Sequence, residues 1–161
     1  MTQEEKELLL KDLCARLHYG VKVSIKMSED NYSDVYDLRD FENDTTSDIR
    51  QRVRVWHYGD YRSVNSFPII DCKPYLRPMS SITEEEKEEL NKMFCNVGYF
   101  FTQEPPYDYG LMVQHADVGS IIISEFSEVY NWLNAHHFDY RGLIEKGLAL
   151  KATEDMYIRK K

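Results

Sequence analysis

What this 161-residue chain lacks narrows its chemistry before anything positive is read. It has three cysteines, Cys14, Cys72 and Cys95, an odd number with no C-x-x-C pair. That argues against a disulfide framework and fits reduced thiols. No apolar run approaches the ~20 residues that cross a bilayer, so no membrane segment is expected. The opening MTQEEKELLLKDLC is acidic where a secretory leader would be basic and then apolar, which places the protein in the cytoplasm as an expectation. The G-x-x-x-x-G-K-[ST], G-x-G-x-x-G, G-x-S-x-G and H-E-x-x-H signatures are all missing. A basic excess is absent as well: the net charge is −8, which argues against a phosphate-seeking surface.

What is present is apolar and aromatic. Hydrophobic residues make up 42% and aromatics 13%, twelve of them tyrosines, a composition that builds a core. At this length folding buries roughly 70% of the unfolded surface, so one domain spanning 1–161 is expected. The acidity is local. Residues 29–48 carry eight carboxylates against Arg39 alone, a net −7, which leaves −1 for the rest of the chain.

Two T-x-x-E capping boxes, Thr2 to Glu5 and Thr83 to Glu86, each open a helical pattern. TQEEKELLLKDLC and TEEEKEELNKMFC agree at eight of thirteen positions, but the residues after Cys14 and Cys95 do not match, so convergence of two capped amphipathic helices explains them better than duplication. Gly20 reads as a left-handed C-cap. VKVSIKM alternates as a half-buried strand, as does RQRVRVWHY, with Gly59-Asp60 a turn into the hairpin partner YRSVNSFPII. The acidic stretch between these strands reads as a long loop or a partly ordered excursion. Pro68, Pro74 and Pro78 make residues 66–80 an irregular or edge connection between two halves, because proline cannot donate to a ladder. LMVQHADVG reads as a short strand. A third helix comes next, capped by Ser124, with Phe126, Val129, Trp132 and Leu133 as its apolar stripe, and LALKA closes the chain as a strand. The expectation is α+β: three main helices on a small, mainly antiparallel sheet.

The blocks LLLKDLCARLHYGVKV, CKPYLRPMSSITEEEKEEL and WLNAHHFDYRGLIEKGLAL, in that order, resemble a family of short uncharacterised proteins of gut bacteria, often found in prophages and other mobile elements. The resemblance implies an intracellular accessory protein and carries over no site residue. His18 stands where that family often has proline, and residues 29–66 lie outside the match.

Three clusters could carry chemistry. In AHHFDYRGLI, His136, His137 and Asp139 could hold a metal for hydrolysis. Helix ending explains them better. Charged histidines would stabilise the helix C-terminus, and Asp139 would cap a short helix starting at Tyr140. Gly142 and Gly147 would supply tight packing and a turn. Cys14 and His18, four apart on the first helix, share a face, but core packing and helix ending account for them. Arg50, Arg52 and Arg54 share a strand face with Trp56, a combination suited to single-stranded nucleic acid, yet the neighbouring carboxylates can neutralise it internally. Nucleic acid is therefore a disfavoured partner. Asp34, Asp37 and Asp40 could form an acidic patch that mimics nucleic acid. No D-x-[DN]-x-[DN] frame there has glycine in sixth place, which argues against a calcium loop. The expectation is a non-catalytic accessory or regulatory protein that binds another protein and needs no cofactor, with a metal-assisted hydrolase using His136, His137 and Asp139, or a nucleic-acid-binding module using the arginine strand, as the alternatives.

Overall fold

In the computed structural model, residues 1–28, 31–43, 51–57, 60–94 and 123–157 are described. The fold is α+β, with three α-helices and a six-stranded, mostly antiparallel sheet among those residues. Thr2 caps α1, Gln3–Arg16: its hydroxyl accepts from the Glu5 N–H, and the Glu5 carboxylate accepts from the Thr2 N–H. Gly20, at φ 71°, ends the turn after the helix in the left-handed region. The chain then enters β1, Lys22–Ser28, with Val23 and Ile25 wholly buried.

The described part of the acidic stretch is no loop. Residues Asn31–Asn43 form β2, the longest strand among the described residues, between β1 and β3, Gln51–His57. Its alternation is hidden by a bulge. Leu38 pairs with Val55 but Asp40 pairs with Arg54, so Arg39 is an extra residue. The inward parity therefore shifts from Tyr36 and Leu38 to Phe41, and the sequence pattern reads as irregular. On the other face Asp37, Asp40 and Glu42 lie opposite Trp56, Arg54 and Arg52. β4, Asp60–Pro68, completes the antiparallel edge. The Gly59-Asp60 turn falls partly outside the described residues, and the LMVQHADVG strand falls wholly outside them.

Residues 66–80 are more regular than their prolines suggest. Between two short 3-10 turns runs β5, Cys72–Leu76, which pairs antiparallel with β1 inside the sheet. Pro74 is tolerated there for a directional reason. The Tyr75 carbonyl points to the β1 side, where it accepts from the Tyr157 hydroxyl, while the Leu76 carbonyl points away and accepts from Ala152. Backbone groups alternate along a strand, so the N–H that Pro74 lacks would have faced away from β1. On that outer side, among the described residues, the strand neighbour is β6, Leu150–Lys151, whose parallel pairing begins at Tyr75. The Tyr157 hydroxyl also accepts from the Lys22 N–H, joining β1 to β5.

α2, Glu84–Phe94, opens on its own capping box from Thr83 to Glu86. α3, Ile123–Ala135, begins one residue before the expected cap Ser124. Among the described residues the buried apolar side chains fall into two clusters. One joins Leu9 and Leu13 of α1 to the sheet residues Val23, Tyr36, Val53 and Leu76. The other joins Leu90 of α2 to Val129, Trp132 and Leu133 of α3, closed by Phe138.

Candidate functional site

The AHHFDYRG stretch is a helix stop that becomes an added rung of the sheet. His137 takes φ 59°, a left-handed conformation that glycine usually fills. The His137 N–H then donates to the Asn134 carbonyl at 3.1 Å and the Phe138 N–H to Leu133 at 3.0 Å. Those two bonds form a Schellman motif, sealed by Phe138 and Leu133 packing in one cluster. Arg77 donates to the His137 carbonyl and accepts from the Asp139 N–H, both at 2.8 Å, so β5 continues across to this segment.

The two histidines part ways. His136 stacks on Trp132 with centroids 3.9 Å apart and donates from Nδ1 to the Trp132 carbonyl at 2.9 Å. His137 is buried, stacked at 3.7 Å on Tyr157. Burial, and next the charge of Arg16, pushes its pKa down to about 3. The expected stabilisation by a charged histidine at the helix end therefore does not apply to His137, which is neutral at pH 7. Asp139 caps, but not a helix. Its two carboxylate oxygens accept from the Leu143 and Ile144 N–H groups, each at 2.8 Å, across a run of turns. His136, His137 and Asp139 are thus spent on the backbone and on rings, and no group of three His, Cys, Asp or Glu side chains that could hold a metal ion occurs among the described residues. Asp139→Ala would leave two backbone donors without an acceptor at a buried site. It is expected to cost about 1.5–3 kcal/mol, read from the urea midpoint, and a loss well below that would show that water replaces the carboxylate.

The arginine strip and the acidic patch turn out to be one surface. Arg54 grips Asp40 through Nε and Nη2 at 2.5 and 2.8 Å. Arg52 binds the Ser66 hydroxyl and carbonyl at 2.8 and 2.7 Å, and the Ser66 hydroxyl donates to Glu42. Lys22 meets Asp37 at 2.9 Å. The bulge turns Arg39 onto the same side, where its guanidinium lies 5.3 Å from the Trp56 ring centroid. Arg50 and the side chain of Asp34 lie outside the described residues. Each of the other named charges here has an opposite charge or a hydroxyl as its partner.

A different place is left open. A concavity of about 590 Å³ lies between α1, α3 and the turn after Asp139. Ser127, Tyr130, Asn131 and Asn134 line it from α3, at the spacing that shares one helix face. Lys11 lines it from α1, and Tyr140 and Arg141 from the turn. The opposite face of α3 is held in the second core cluster, which fixes the wall. Tyr140 donates to Asn134 Oδ1 at 3.0 Å, and its ring sits 5.3 Å from that of Tyr130. Behind the wall, Asp12 and Arg16 have side chains without solvent exposure and meet at 2.8 and 3.0 Å. Arg141 reaches the same Asp12 at 2.7 Å, and Arg16 donates to the Phe138 carbonyl at 2.7 Å. Both guanidiniums flank the Tyr140 ring, at 5.5 and 4.5 Å.

The AHHFDYRG segment does border the concavity, but through side chains other than the expected ones. Tyr140 and Arg141 reach it, not the histidines or Asp139. The signal that sequence reasoning missed is the polar stripe 127–130–131–134, which looks like an ordinary solvated face. Compared with protein-family models, with curated proteins and with solved structures, the chain matches none.

Proposed function

We propose that the protein is a non-catalytic accessory factor that binds another protein in the concavity between α1, α3 and the Tyr140–Arg141 turn. The observation that carries this reading is the wall itself: two tyrosines and two asparagines, braced from behind by a buried ion cluster, beside an open volume. Tyrosine supplies large contact area at low entropic cost, and rigid walls reduce what binding must spend on ordering. The groups suited to acid–base or ligand chemistry, His136, His137 and Asp139, meanwhile face internal partners.

Affinity capture with the folded protein tests this. A single protein retained in about equal molar amount by wild type, and lost with Tyr130→Ala, is the expected result. Tyr130 is 42% exposed, so the substitution removes contact area without opening the core. A partner held equally by both proteins, or none held by wild type, would sink the proposal.

A further inference from the structure

We infer that the occupant of this concavity is an acidic segment of the protein partner, with a carboxylate seated between Arg141 and Lys11 and a neighbouring apolar or aromatic side chain against Tyr130. The inference rests on the protein-binding reading and adds the chemistry of the ligand.

Charge is the first reason. The chain carries −8, yet the seven lining residues include no carboxylate, and the charged ones, Lys11 and Arg141, are both cations. The second reason lies behind the wall. Asp12 is one negative charge shared by two guanidiniums, so the Asp12–Arg16–Arg141 cluster holds a net charge of +1. Arg16 is wholly buried, and its Nη1 has no hydrogen-bond partner among the described residues. A buried positive excess is unfavourable unless an anion comes near it. Arg141 connects that excess to solvent: one nitrogen holds Asp12, while its side chain remains 17% exposed at the concavity. The free edge of a guanidinium matches a carboxylate geometrically.

A polyanion fits less well. Nucleic acid needs an extended basic track, whereas two cations on a chain of charge −8 would meet long-range repulsion. A short segment with one or two carboxylates beside an apolar residue suits the two cations and the Tyr130–Tyr140 pair.

Selection of a random heptapeptide display library on the folded protein at low ionic strength tests the inference. Enrichment of Asp or Glu next to an apolar or aromatic residue is expected. The best peptide, labelled for fluorescence anisotropy, should lose at least about tenfold in affinity with Lys11→Gln and with Tyr130→Ala, and should weaken between about 50 and about 300 mM salt. Both replaced residues are exposed, so both variants fold. Arg141→Gln should lose more, and if it unfolds through loss of the Asp12 contact, Lys11→Gln decides the matter. Peptides without acidic enrichment, no selected peptide at all, acidic peptides indifferent to both exposed variants, or tighter binding of a single-stranded oligonucleotide at this site would overturn it. If capture of a protein still depends on Tyr130 while the selected peptides are not acidic, the ligand chemistry falls and the protein-binding reading stands. If both fail, both fall.

Discussion

Asp12→Ala is expected to destabilise the protein by about 3–5 kcal/mol, because removing one partner leaves a buried charge without compensation. The site meets the conditions for so large a loss. Asp12 and Arg16 side chains have no solvent exposure, the pair is joined by two short hydrogen bonds, and Arg141 depends on the same carboxylate. Among the described residues, alanine would leave Arg16 with only the Phe138 carbonyl as its hydrogen-bond acceptor. Replacing the pair together, Asp12→Leu with Arg16→Met, is expected to cost less than the single change, since the wholly buried Arg16 charge is then gone, only the partly exposed Arg141 loses its carboxylate, and the apolar volume is kept. Urea unfolding of the three proteins checks both statements. A single variant within about 1 kcal/mol of wild type, or a double variant worse than the single one, would show that the cluster does not hold α1 to the turn as described.

Acid should weaken the fold through His137. Its folded pKa lies near 3, whereas an unfolded histidine titrates near 6.5. The sign follows from proton counting. Below pH 6.5 the unfolded chain binds a proton that the folded one refuses, so stability falls as pH drops through 6.5 and levels off only below about 3. Between pH 7 and pH 5 the loss is on the order of 2 kcal/mol, at about 1.36 kcal/mol per pH unit over about 1.5 units. The physical cause is burial, reinforced by the charges of Arg16, His136 and Lys22, and only partly opposed by a backbone hydrogen bond at Tyr19. His137→Asn tests it, because asparagine tolerates the left-handed backbone and does not titrate. Urea midpoints at pH 7, 6 and 5 should fall more steeply for wild type than for the variant. Parallel slopes would mean that the imidazole accepts its proton within the fold.

Local signals survived folding where a short-range rule governs them. The capping boxes at Thr2 and Thr83 bind as their spacing requires, because cap geometry needs only three or four residues. Gly20 adopts the positive φ expected of it, and the alternation of β1 and β3 places Val23, Val53 and Val55 in the core. Those features, together with the α+β class, belong to the sequence alone.

The rest depended on what the chain meets at a distance. The acidic stretch became β2 because one inserted residue, Arg39, reverses the inward parity, and because its carboxylates find cations on strands that the sequence does not place beside them. Pro74 became an interior strand residue because the outer neighbour β6 is only two residues long. The imidazole of His137 became neutral because the fold buries it and brings the charge of Arg16, 121 positions earlier, close to it. The concavity joins Lys11 to Arg141 across most of the chain. Periodicity and caps are written in adjacent residues, whereas burial, charge pairing and concave surfaces are set by which distant side chains share one volume, and that is decided only when the sheet and helices close on one another.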